Sequence, residues 1–142
     1  MTYRIYDSAT DESKALRIEI FVKEQNVPLE LEIDERDKPG MAKHLVFFDN
    51  SERAVATSRF YVEKNNIWHI GRICVSKSAR GTGLGKKLLE TAEKEIKKLG
   101  GKKSYISAQT QAQGFYEKMG YIPYGETYLE DTIEHLAMYK DL

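Results

Sequence analysis

The sequence predicts an α/β (α+β) fold: a mixed, mostly antiparallel central sheet of about seven strands with helices on both faces. Three observations predict it. Three strand-like segments follow one another through short polar connections, which suits an antiparallel meander. A strand–helix–strand unit comes later, which requires a parallel crossover. No repeat, low-complexity tract or Ser/Pro/Gly-rich linker divides the 142 residues, so residues 1–142 read as a single domain.

The elements follow in order. Tyr3–Asp7 alternates as a short first strand. A helix is expected from about Asp11 to Glu24, with Asp11 as N-cap and Leu16, Ile20 and Phe21 on its apolar side. Residues 25–43 form a long connection broken by Pro28, Pro39 and Gly40, in which Leu29–Asp34 alternates and reads as extended. His44–Asp49, Arg53–Val62 and Ile67–Val75 are the meander strands. Gly83–Leu99 is the clearest helix, with the stripe Leu84, Leu88, Ala92, Ile96 and Leu99 and the i,i+4 pairs Glu90–Lys94 and Glu93–Lys97. Gly100-Gly101 ends it. Lys103–Ala108 is a strand, Gln111–Met119 a short helix, and Tyr121–Tyr124 and His135–Tyr139 complete the sheet.

Composition narrows the function. Lys+Arg and Asp+Glu both number 22, so the formal net charge is zero and a dedicated nucleic-acid binder is excluded. The longest apolar runs, such as Leu45–Phe48, are only four residues, so no transmembrane span is expected. The opening Met-Thr-Tyr-Arg-Ile-Tyr-Asp has no apolar h-region, and a cytoplasmic protein is expected. A single cysteine, Cys74, can form neither an internal disulfide nor a zinc site, and no metal is expected.

The strongest chemical feature is the strand ending Ile73-Cys74-Val75, a four-residue link, and then Arg80-Gly81-Thr82-Gly83-Leu84-Gly85 opening the best helix. Glycines between a strand and a helix let backbone N–H groups converge, and the helix N-terminus adds partial positive charge. That is a seat for a phosphate or pyrophosphate. A nucleotide P-loop fails on position, because Arg80 stands where its first glycine belongs and Lys87, not a hydroxyl, follows Lys86. A dinucleotide turn fails too, because the third glycine, Gly85, arrives one residue early.

Arg80-Gly-Thr-Gly-Leu-Gly85 resembles the (Gln/Arg)-x-x-Gly-x-(Gly/Ala) segment of the GCN5-related N-acetyltransferases (GNAT), which bind acetyl-CoA through its pyrophosphate. Ala112-Gln-Gly-Phe115-Tyr116-Glu-Lys-Met-Gly120-Tyr121 is similar to that family's Ala-x-x-Phe-Tyr-x-Lys-x-Gly-Phe segment, in the same order. Arg17…Phe21-Val-Lys-Glu24-Gln25, the Glu32–Asp37 stretch and Glu126…Glu130-Asp131…His135 resemble the smaller ElaA-like group. The resemblance implies an acetyl-CoA-dependent N-acetyltransferase acting on the amine of a small molecule, protein or peptide, as a monomer or homodimer.

It also implies roles. Ile73-Cys74-Val75 would hold the pantetheine arm and acetyl group through the amides of Ile73 and Val75, with the Ile73 N–H as oxyanion donor. Arg80, Gly81, Thr82, Gly83, Leu84 and Gly85 would take the pyrophosphate, with Lys86 or Lys87 near the phosphates. Tyr116 would protonate the departing thiolate; a phenol of pKa about 10 is protonated at neutral pH, while a thiol ionises near about 8.5. On its helix Phe115 is expected to fill the core and Tyr116 to stand at the edge of the stripe. Many members carry Asn where this chain has Gln109, which keeps the amide and lengthens its reach by a methylene.

His69 lies six residues before Val75, where some members place a catalytic glutamate, and alternation puts it on one face with Gly71, Ile73 and Val75. An imidazole of pKa about 6.5 suits proton removal through water; a strand histidine beside Trp68 equally suits packing. Cys74, on the other face, is expected to be core filler. Acidic residues crowd the first long connection (Glu30, Glu32, Asp34, Glu35, Asp37) and the last (Glu126, Glu130, Asp131, Glu134), as walls that attract a cationic amine or as solvated loops. A non-catalytic acyl-CoA sensor would keep the glycine turn but has no use for a proton donor, so Tyr116 favours the enzyme.

Overall fold

The computed structural model describes residues 1–142. Seven strands form one sheet in the order β1-β2-β3-β4-β5-β7-β6: β1 Thr2–Tyr6, β2 Lys43–Phe48, β3 Ala54–Val62, β4 Ile67–Val75, β5 Lys103–Gln109, β6 Ile122–Glu130 and β7 Ile133–Asp141. Every pairing is antiparallel except β4–β5. No helix is long and apolar enough to cross a membrane. The expected mixed, mostly antiparallel sheet is the one observed.

The helices lie on both faces. Helix α1 (Asp11–Arg17) continues without a break as a π-helix, Ile18–Glu24, and buries Leu16 and Ile20 against Cys74. Helix α3 (Leu84–Lys98) buries Leu84, Leu88, Leu89, Ala92 and Ile96 on the opposite face, against Phe47, Phe60, Ile70 and Ile106. The short α4 (Gln113–Lys118) adds Tyr116 to that core.

Several expectations are corrected. Thr10, not Asp11, caps α1: its hydroxyl accepts from the Ser13 amide at 3.1 Å, and the Ser13 hydroxyl accepts from the Thr10 amide at 3.0 Å. Asp11 instead sits in the first turn, where its charge favours the helix dipole. Leu29–Glu32 forms a single helical turn (α2), not an extended segment. It turns Glu32 inward, 1% exposed, and leaves Leu29 and Leu31 at 54% and 43%. Glu93 pairs not with Lys97 but with Lys140 at 2.9 Å and the Tyr121 hydroxyl at 2.8 Å. The last two strands run nine residues each and meet in the tight turn Asp131-Thr132, both with positive φ.

Candidate functional site

Strands β4 and β5 pair only over Ile67–His69 and Lys103–Tyr105, then part. Beyond that point β4 has six more residues and β5 four, and the gap opens a cleft of about 780 Å³. Its walls are the second half of β4, the end of β5, the π-helix, Tyr116 and the β6–β7 turn. The backbone groups lining a split sheet are free to meet a ligand, because neither strand satisfies them.

Arg80, the first residue of the glycine turn, borders the cleft. Gly81 and Gly83 have φ of +77° and +83°, a region that favours glycine, and a Cβ at either would meet open space. Gly83 is the N-cap of α3 and provides no side chain to cap it, so first-turn amides of a fifteen-residue helix are left for an anion. Gly85 packs under the Phe115 ring, 3.7 Å from where a Cβ would stand. Thr82 donates to the Ala79 carbonyl at 2.6 Å and fixes the turn from within. Arg80 is anchored to the Val75 carbonyl at 3.1 Å and to Glu24 at 3.0 Å. These residues suit a pyrophosphate: a turn of amides with no Cβ at Gly81, Gly83 or Gly85 and an adjacent guanidinium.

Ile73, Cys74 and Val75 line the cleft as expected, but not on the faces that alternation assigned. In the β3–β4 register Thr57 opposes Cys74 and Arg59 opposes Gly71, so Arg72 and Ile73 share one partner position. This is a β-bulge, and Arg72 takes φ +50° to make it. Across it the parity changes. His69, Gly71 and Cys74 share the α1 face with Tyr61, Arg59 and Thr57, whereas Ile73 and Val75 pack toward the α3 core. One extra residue therefore overturns the expected grouping of His69 with Ile73 and Val75.

Tyr116 and Phe115 also exchange their expected places: Tyr116 is 7% exposed and in the core, and Phe115 is 37% exposed. The Tyr116 phenol nevertheless borders the cleft. Burial alone pushes its pKa up, so it stays protonated through neutral pH. Cys74 is 5% exposed, and burial pushes its thiol up to about 12; an inert thiol results. Gln109 reaches across the cleft and donates to Gln25 Oε1 at 2.8 Å, while Gln111 donates to Gln109.

His69 lines the cleft with its Nδ1 2.6 Å from the Tyr61 hydroxyl and its ring against Tyr105. Burial, helped by Arg59, Arg36 and Arg72, pushes its pKa down to about 4, so the ring is neutral at pH 7. The folded value lies below the unfolded one of about 6.5, so stability is complete above 6.5 and lost as pH falls toward 4. Between pH 7 and 5 the wild type should lose about 2 kcal/mol through His69. His44, also lowered by burial, adds in the same direction. Urea unfolding at both pH values checks this; His69→Gln should remove most of the difference, and an undiminished difference would show that His69 is not its source.

Of the acidic residues of the first connection, Glu30 and Glu35 are exposed, whereas Glu32, Asp34 and Asp37 are tied into ion pairs and offer the cleft no free charge. Arg17, 1% exposed, holds Glu32 at 2.9 Å and Asp37 at 2.6 Å. Arg59 holds Asp34 at 2.6 Å and Asp37 at 3.1 Å, and Arg72 holds Glu32 at 3.1 Å and Asp34 at 3.2 Å. Three carboxylates and three guanidinium groups cancel. Only Glu130 and Asp131, from the β6–β7 turn, reach the cleft without a lysine or arginine partner. Sequence reasoning gave no role to Tyr61, Arg72 or Gln25; of the three only Gln25 had been singled out, as the end of the ElaA-like segment Arg17…Glu24-Gln25.

A split β4–β5 pair with a glycine turn beginning at its border and a phenol beside it defines an acyl-CoA-dependent acyltransferase. The chain belongs to the GNAT family: the family model described as "Acetyltransferase (GNAT) domain" matches residues 8–142. Within it the relatives are ElaA-like. The chain is 41% identical over 127 residues to "Uncharacterized N-acetyltransferase YjcF" of Bacillus subtilis, covering 89% of this chain and 88% of that one. It is 35% identical over 130 residues to Protein ElaA of Escherichia coli, covering 89% and 84%. Among solved structures, an acyl-CoA N-acyltransferase from Pseudomonas aeruginosa superposes with TM-score 0.86 at 30% identity over 99% of both chains. Escherichia coli ElaA gives TM-score 0.85 at 28% identity over 98% of both. The protein is thus a transferase, and acetyl-CoA or another acyl-CoA is its co-substrate.

Proposed function

We infer that residues 1–142 act as one catalytic domain that moves an acetyl group from acetyl-CoA directly to a primary amine, in a ternary complex, and that the amine is cationic. The observation that carries this reading is the split of β4 from β5, which opens one cleft to both Arg80, where the glycine turn begins, and Tyr116. Both substrates can meet there without a covalent intermediate, since the only thiol, Cys74, is held protonated.

In this reading the pyrophosphate sits on the amides of Arg80 to Gly85, with Lys86 nearby, and the pantetheine arm runs along Ile73, Cys74 and Val75 toward Gln109. The bulge at Arg72–Ile73 releases a backbone group from the ladder, as an oxyanion donor at Ile73 requires. Attack by the neutral amine places negative charge on the thioester oxygen; collapse breaks the C–S bond, and Tyr116 gives its proton to the thiolate. Tyr116 recovers a proton from solvent as the new amide nitrogen loses one. His69, neutral beside Tyr61 with its pKa pushed down to about 4, is too weak a base to keep that proton and serves to orient the water that carries it to solvent.

Acetyl-CoA should stabilise the fold selectively. A ligand that binds only the folded chain, at about a hundred times its dissociation constant, adds roughly 2.7 kcal/mol. Thermal-shift titrations should show this for CoA and acetyl-CoA; equal shifts with ATP or NAD would remove the glycine turn as a CoA site.

A further inference from the structure

The β6–β7 hairpin carries chemistry that acyl transfer, as derived above, leaves unused. His135 is 7% exposed, and its Nδ1 lies 2.7 Å from the Ile133 carbonyl oxygen. A carbonyl oxygen only accepts, so Nδ1 carries the hydrogen, and in the neutral ring Nε2 is a bare lone pair. That lone pair has no hydrogen-bond partner in the chain. It faces Glu130 Oε2 at 3.6 Å, beyond hydrogen-bond reach. Two acceptors thus confront each other with no donor between them.

The arrangement is held from several sides. The Ser107 hydroxyl donates to the same Glu130 oxygen at 3.3 Å and also bonds the Tyr128 hydroxyl. The Tyr128 ring lies nearly parallel to the His135 imidazole, with centroids 6.2 Å apart. Asp131 adds a second carboxylate to the same part of the cleft. Across the cleft, Arg59 and Arg72 are committed to Asp34, so their charge does not answer that of Glu130. A group with two polar hydrogens bridges a carboxylate and a lone pair at this spacing, and the unanswered carboxylate charge favours a cation with more than one N–H over a neutral donor.

We propose that Glu130 and His135 Nε2 form the seat of an alkylammonium group, the protonated primary amine of the acceptor. One N–H donates to the Glu130 carboxylate and another to Nε2. Gln109 stands directly opposite His135 in the β5–β7 register, so the seat lies at the end of β5 that borders the proposed acyl position. That this ammonium belongs to the acceptor rests on the acetyl-transfer reading; that the seat binds an ammonium does not.

The test is NMR on protein labelled with 15N in its histidine rings, with CoA present near neutral pH, titrated with 1,4-diaminobutane and separately with the neutral isostere 1,4-butanediol. His135→Gln assigns the signal among the three histidines, and buried His44 serves as internal control. The expected result is a free-protein His135 with Nδ1 protonated and Nε2 not, an Nε2 resonance that moves saturably with the diamine and not with the diol, and an affinity about tenfold or more weaker in Glu130→Gln. A doubly protonated His135 in the free protein, an equal response to the diol, no saturable shift, or full affinity in Glu130→Gln would each overturn the proposal. Because no turnover is read, this result stands apart from whether the chain acetylates the amine.

Discussion

Tyr116→Phe is expected to lower kcat by about 10²–10⁴ while leaving acetyl-CoA affinity nearly unchanged. The variant keeps the ring that fills the core beside Tyr121 and Phe115 and removes only the hydroxyl. No hydrogen bond within the protein is lost, because burial alone sets the acidity of that phenol. What is lost is the proton that reaches the thiolate. The split between an unaltered thermal shift with acetyl-CoA and a collapsed kcat is therefore the mark of a proton donor. Unaltered kcat, under conditions where chemistry limits turnover, would make Tyr116 a core residue and nothing more.

The second large effect concerns stability. Arg17→Ala should cost about 3–5 kcal/mol, a large share of the roughly 5–15 kcal/mol of a typical domain. The Arg17 guanidinium makes four hydrogen bonds, to Glu32 Oε2, the Glu32 carbonyl and both oxygens of Asp37. Removing it leaves three carboxylates to two guanidinium groups in a buried site. Burial alone would raise the Asp37 pKa, but the Arg17 hydrogen bond, the Asp34 amide and the charges of Arg17 and Arg59 hold it well below the usual range. The stability this supplies is present above the unfolded value of about 3.9 and is lost as pH falls through the folded one. Urea unfolding near neutral pH should show the deficit, and part of it should return in acid, where the orphaned carboxylates protonate. A deficit under about 1 kcal/mol at neutral pH would mean the network is solvated.

Local periodicity made most of the fold legible. The α3 stripe, the meander and the glycine turn were readable because each is decided by residues close in sequence: apolar spacing, short polar connections, and glycines where φ is positive. The rest depended on partners distant in sequence. Glu32 reads as one acid in an alternating run, and only Arg17 and Arg72 explain why it turns inward while Leu31 does not. The bulge at Arg72 has no glycine to announce it, and it reversed the faces predicted for Ile73 and Val75. The β6–β7 turn at Asp131-Thr132 lacks the Asn-Gly or Asp-Gly that would have marked it, so both strands were drawn short. Tyr116 and Phe115 are neighbours on one helix, and which of them the core receives is decided by where α4 lies against Gly85 and Tyr121.

The most direct test of direct acetyl transfer is an initial-rate study of thiol release, varying acetyl-CoA against a panel of primary amines, for the wild type and Cys74→Ala. Thiol release should require an amine, prefer cationic ones, give intersecting reciprocal plots, and survive in Cys74→Ala. Parallel plots with an acetyl group trapped on Cys74, or thiol release at the same rate with and without amine, would contradict the account.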